Sequence, residues 1–138
     1  TIIPTPTPST NRLDKVFSAD NPMHAVLSAS RNLRDRWLNL EDALWETSSY
    51  PTSELQMIRS RLSELLPIPE ACSRYYRSNT EDSSSVGIAD QFFYDVRSIT
   101  EKQRNEISQN YGPEGLVTLM ICLALYDGAF RIISVLDY

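Results

Sequence analysis

The stretch LVTLMICLALYDGAFRIISVL, Leu116 to Leu136, decides the fold. From Leu116 to Tyr126 its one conventional polar side chain is Thr118, and Asp127, Gly128 and Arg131 follow. A long run without period-two alternation reads as a helix apolar all round, which is buried on every side or spans a membrane. A span needs roughly 20 apolar residues, and Asp127 with Arg131 cuts the run short. A chain of 138 residues has little interior deep enough to cover such a helix by itself, so burial by a second subunit is expected. Asp127 and Arg131 stand at i and i+4, the spacing of an ion pair on one helical face. Two readings stay open for them: a partly buried pair that fixes how the helix packs, or a solvated pair at its edge.

Upstream, the punctuation is helical throughout. NYGPEG places Asn110 and Gly112 where a left-handed residue ends one helix, and Pro113 where another starts. The last helix then runs from Pro113 to about Leu136, some 36 Å at ~1.5 Å per residue. ITEKQRNEI carries Thr100 with Gln103 three residues on, a capping box. GIADQFFYDV reads as a short helix with Ile88, Phe92, Phe93 and Val96 on its apolar side. SNTEDSSSVG before it reads as a polar surface loop. In TSELQMIRSRLSELL, Leu55, Ile58, Leu62, Leu65 and Leu66 recur at three and four, with Glu54 in the first turn. Two prolines in LPIPEACSRYY stop that helix near Leu66 and restart a short one at Pro69. SADNPMHAVL offers Asp20 or Asn21 as cap and Pro22 at the first helical position; the pattern from Met23 to about Glu46 is one long helix or two.

Composition bounds the class. The hydrophobic share is 41%, the charged share 22%, and the net charge −5. Without a basic stripe the chain is not expected to bind nucleic acid, and its acidity argues equally against a membrane surface. Cys72 and Cys122 form no CxxC pair, which suits two buried thiols in a reducing compartment, so the expected location is cytoplasmic. TIIPTPTPSTN has neither a basic start nor an apolar run, unlike a secretion signal. Its alternating prolines favour an extended arm over residues 1–19. Residues 20–138 read as one all-α domain of five to seven helices.

The segment DQFFYDVRSITEKQRNEISQNYGPEGLVTLMICLALYDGAFRIISVLD resembles the C-terminal half of the carboxymuconolactone decarboxylase and alkylhydroperoxidase D-like superfamily. The shared elements are a short helix ending in YDVRSIT, the turn YGPEGLV, and a long closing helix, LALYDGAFRIISVL. The resemblance covers about 50 of the 138 residues and implies that family's helical bundle. Redox members also carry a glutamate, an arginine five residues on, and a C-x-x-C-x-x-x-H motif starting twelve residues after the glutamate. There a thiolate attacks peroxide, a second thiol resolves it, and histidine with glutamate relays protons. ELQMIR supplies Glu54 and Arg59 at that spacing. Leu66, Pro69 and Ser73 then stand where the cysteines and histidine belong. Placing Cys72 on the first cysteine gives Tyr75 and Asn79 for the other two, and Ser60 for the glutamate. Neither register keeps the machinery, so the resemblance implies the fold and withdraws the redox chemistry.

Other catalysis rests on weaker candidates. His24 has no carboxylate at a helical spacing to orient it and reads more simply as a helix-start histidine. Cys72 has Arg74 nearby to lower its pKa, but without a neighbouring base an ordinary half-buried cysteine is the simpler reading. Cys122 reads as core. Tyr75 and Tyr76 line a pocket or pack in the core. No phosphate loop, metal-ligand cluster or nucleophile elbow stands out, and no cofactor is implied. The leading expectation is a non-redox member of the family, binding a small molecule or serving as a structural homo-oligomer, with Arg59, Tyr75 and Tyr76 as pocket residues. The alternative is a decarboxylase-type or thiol peroxidase-type enzyme working through Cys72, Glu54, His24 and the Tyr75–Tyr76 pair. Third comes an interaction module using the proline-threonine arm.

Overall fold

The computed structural model describes residues 21–78 and 83–136; the expected arm, residues 1–19, lies outside them. Among the described residues the chain is all-α, with six helices and no strand: α1 Pro22–Val26, α2 Arg31–Glu46, α3 Thr52–Leu65, α4 Glu70–Tyr76, α5 Ser84–Tyr94 and α6 Glu101–Leu136. Short 3-10 turns at Leu27–Ala29 and Val96–Ser98 join α1 to α2 and α5 to α6.

The boundaries follow local chemistry. Asn21 Oδ1 accepts from the Met23 amide at 3.0 Å, capping α1 with Pro22 just inside it. The Met23–Glu46 span is therefore two helices, broken at Ser30, whose backbone is extended. Leu66 ends α3 and Pro69 precedes α4. Thr100 and Gln103 close their box reciprocally: Gln103 Oε1 accepts from the Thr100 amide at 2.9 Å, and Thr100 Oγ1 from the Gln103 amide at 3.1 Å. Both ends of α5 differ from the expectation. Ser84 to Val86 are helical rather than loop, because Ser83 Oγ accepts from the Val86 amide at 3.2 Å and starts α5 earlier. Val96 lies beyond that helix and is exposed.

At Gly112, α6 kinks, with φ 74° and ψ 174°, a conformation open in practice to glycine alone. Pro113, lacking an amide hydrogen, follows where the helix must start again. Gly115 serves a different need: a Cβ there would collide with Tyr111 Cβ and come within 2.8 Å of the Ser49 carbonyl oxygen. The loop before α3 can thus lie directly on α6.

The inner face of α6 is core. Leu119, Cys122, Leu123, Tyr126, Ala129, Phe130 and Ile133 have no exposed surface, and they meet Leu55, Ile58 and Leu62 of α3. On its other side α3 packs on α5, where Arg61 forks onto Asp90 at 2.7 and 3.2 Å. Gln91 and Gln103 exchange amide hydrogen bonds at 3.1 and 2.6 Å, tying α5 to α6. By length and composition alone α6 is apolar enough to cross a membrane, and somewhat under half of its most apolar window is buried within the fold.

Candidate functional site

Polar chemistry enters the core from four helices. Glu41 of α2 is 6% exposed, and its carboxylate accepts from Asn21 Nδ2 and from the Tyr126 hydroxyl, each at 2.7 Å. The same hydroxyl accepts from Trp45 Nε1 at 2.7 Å. Tyr126 is thus a relay, taking a proton donor from α2 and returning one to α2. A buried carboxylate survives only with such donors. Burial, and then the neighbouring Glu41 charge, raises the Tyr126 pKa well above its ordinary value. Burial does the same to Tyr76. Both phenols are therefore hydrogen-bond donors at working pH and poor bases.

Beside this relay stands Arg59 of α3. Its guanidinium carbon lies 4.6 Å from the Trp45 ring centroid, 5.5 Å from Tyr76 and 5.6 Å from Tyr126, all within cation–π range. Tyr76 also stacks on Phe130 at 4.8 Å. Two polar atoms in this cage, Arg59 Nε and the Tyr76 hydroxyl, are buried without a hydrogen-bond partner among the described residues.

The expected site residues are not gathered in one place. Arg59 and Tyr76 share the aromatic cage, whereas Tyr75 is exposed and meets Tyr76 edge-on at 5.0 Å. Glu54, on the same helix as Arg59 but on another side, lines a separate cleft of about 100 Å³ with Tyr50, Gln103, Glu106 and Tyr111. Their i, i+5 spacing turns them about 140° apart, so they cannot act as one unit. His24 is exposed on α1. Cys72 is fully buried rather than half-buried, and Arg74 beside it in sequence is exposed. Burial pushes the Cys122 thiol up to about 12, which removes it as a nucleophile at neutral pH. Among the described residues no three His, Cys, Asp or Glu side chains group as metal ligands.

Asp127 and Arg131 do pair, through two hydrogen bonds at 2.8 and 3.2 Å. The pair straddles the surface: the Asp127 side chain is 16% exposed and that of Arg131 52%. Arg131 also covers the Phe93 ring at 5.3 Å, tying α6 to α5.

The outer face of α6 is a second candidate. Val117, Ile121, Ala124, Gly128, Ile132 and Val135 recur every three or four residues, averaging the ~3.6 of an α-helical turn, so they form a straight stripe. Against its middle, Trp37 and Leu40 of α2 complete an open groove of about 260 Å³ whose lining includes no charged side chain.

Sequence reasoning missed Glu41, Trp45 and Tyr126 as a set. A signal was present: Glu41 falls between Trp37 and Leu44 at helical spacing, a carboxylate in register with the apolar positions of α2. Nothing local links it to Tyr126, 85 residues away. No protein-family model, curated protein or solved structure matches this chain.

Proposed function

We propose that this chain is a non-redox protein of the alkylhydroperoxidase D-like kind that works as a homo-oligomer, joined to a second copy through the α2/α6 face. The observation that carries the reading is the apolar stripe on α6. Val117, Val135 and Leu33 are each more than half exposed, and Ile121, Ile132 and Leu40 more than a third. A stripe of this length and two helices wide covers roughly 500 Å² in plan, close to the ~600 Å² per partner at the small end of standard interfaces.

A second copy suits this surface better than an unrelated partner. Ala124 and Gly128 make a notch between the ridges of Ile121 and Ile132, so the face carries both halves of a knob-and-notch contact, as an isologous interface requires. Charge does not oppose it: the chain's net −5 is absent from the groove lining. The family part of the reading rests on the resemblance of residues 90–137. The buried thiols support the non-redox part and suit the cytoplasm.

Ala124→Cys tests the contact. Under mild oxidation the variant is expected to form an intermolecular disulfide efficiently, while Asn105→Cys, on the exposed part of α6 before the kink, does not. Equal slow cross-linking of both variants means that the stripe is not where two copies meet.

A further inference from the structure

The outer stripe of α6 reads the same in both directions. Along the helix it presents Val117, Ile121, Ala124, Gly128, Ile132 and Val135: valine, isoleucine, a small residue, a small residue, isoleucine, valine. The matched pairs share one midpoint. Val117 with Val135, and Ala124 with Gly128, are each centred on position 126, and Ile121 with Ile132 falls close to it. At 100° per residue these side chains stay within about 80° of one another, on one face of the helix.

We propose that two copies of the chain join antiparallel across this stripe, about a two-fold axis at the level of Tyr126. This arrangement rests on the self-association through the α2/α6 face proposed above, and adds its direction and register. Reversing one copy about that point sets Val117 of one beside Val135 of the other, Ile121 beside Ile132, and Ala124 beside Gly128. The small residues then meet at the centre, where their lack of bulk lets the backbones approach most closely, and the branched side chains flank them. From Val117 to Val135 the stripe covers ~27 Å of helix, a length that the shallow, ~20° class of helix crossing keeps in contact. A face of roughly 500 Å² is near the lower limit for a stable pair, so matched sizes along its whole length count.

Charge favours this direction over the parallel one. Glu114, one turn before Val117, continues the line of the stripe and is exposed, and exposed Arg131 borders it further along. A parallel two-fold contact would bring each residue onto its own counterpart, Glu114 on Glu114 and Arg131 on Arg131, and like charges facing across an interface are unfavourable. The antiparallel contact sets the two Glu114 positions ~36 Å apart along the axis and the two Arg131 positions ~15 Å apart, beyond the screening length of about 8 Å. The macrodipoles of two adjacent helices also attract when antiparallel and repel when parallel.

Cross-linking through single cysteines tests direction and register. Val117→Cys and Val135→Cys replace side chains that are more than half exposed, and both native thiols are fully buried, so the new thiols are the ones that react. Each variant alone, and the two refolded together, is treated with a short bismaleimide. Cross-linked dimer is expected in the mixture at ~10-fold or more above either variant alone, because unlike positions adjoin while like positions lie ~27 Å apart. Either variant cross-linking to itself as readily as the mixture does overturns the antiparallel arrangement and leaves self-association through the stripe standing. No cross-linking in any sample overturns it as well. A parent that then scatters as one chain ends the self-association reading too, whereas a parent of twice that mass moves the contact off this face.

Discussion

Tyr126→Phe and Tyr76→Phe delete the same atom from two fully buried rings of the same core, and their consequences should differ in sign. Tyr126 loses a hydrogen bond to a buried carboxylate and one from the Trp45 indole, both at 2.7 Å. A hydrogen bond to a charged group is worth ~1.5–3 kcal/mol net and a neutral one ~1 kcal/mol. Trp45 is only half-buried, so water recovers part of its share. The expected loss is about 2–4 kcal/mol, or a melting temperature lower by roughly 10 °C for a chain of this size. Tyr76 loses no hydrogen bond, because its hydroxyl has no partner among the described residues. Removing a desolvated, unbonded group is neutral or stabilising by about 1 kcal/mol. Urea titrations of the parent and both variants, with near-ultraviolet circular dichroism to follow the core, measure the two differences. Equal destabilisation by the two substitutions would show that ring packing alone decides, and the Glu41–Tyr126–Trp45 relay would lose its assigned role.

Gly112→Ala should cost about 2 kcal/mol, since φ 74° with ψ 174° is a backbone state that a side chain strains, and calorimetry reads the loss directly. Asp127→Ala and Arg131→Ala should each cost no more than about 1 kcal/mol, because Arg131 is half in water and solvent screens the pair; a larger drop in the urea midpoint would make this pair a buried one. Stability should also fall in alkali. Cys122 is pushed up to about 12 from an ordinary 9.0, and Tyr50, Tyr76 and Tyr126 are raised from 10.0. The unfolded chain therefore sheds protons first, and stability declines from about pH 9 through Cys122 and above about pH 10 through the tyrosines as well, approaching about 1.4 kcal/mol per pH unit for each such group. Cys122→Ala should flatten that decline between pH 9 and 10, as followed by denaturant unfolding in a series of buffers, and an unchanged slope would place the effect elsewhere.

The helical class was legible because its signals are local. Asn21 with Pro22, Thr100 with Gln103, Leu66 before Pro67, and Gly112 with Pro113 each act over two or three residues, and each marks a helix end in the structure. The start of α5 escaped because a serine-rich run reads as loop by composition, while one of its serines, Ser83, is the cap. The interior cluster escaped for a different reason. Glu41, Trp45, Arg59, Tyr76 and Tyr126 come from four helices, and only the packing of α2, α3, α4 and α6 brings them together. Glu54 and Arg59 show the reverse case. The resemblance implied a common pocket for them, while their spacing already turned them apart, and α3 sends one to a cleft beside α5 and α6 and the other into the aromatic cage.

Self-association through the outer face of α6 is the central claim, and light scattering across a concentration series tests it most directly. Ile121 and Ile132 flank the Ala124–Gly128 notch, so Gly128→Glu would set a charge from each copy at the centre of the contact, where like charges repel and desolvation is greatest. The parent protein is predicted to scatter as at least twice the mass of one chain at tens of micromolar, and Gly128→Glu as a single chain with unchanged helicity. A parent that scatters as one chain throughout the series, or a Gly128→Glu variant that stays associated, would contradict the account.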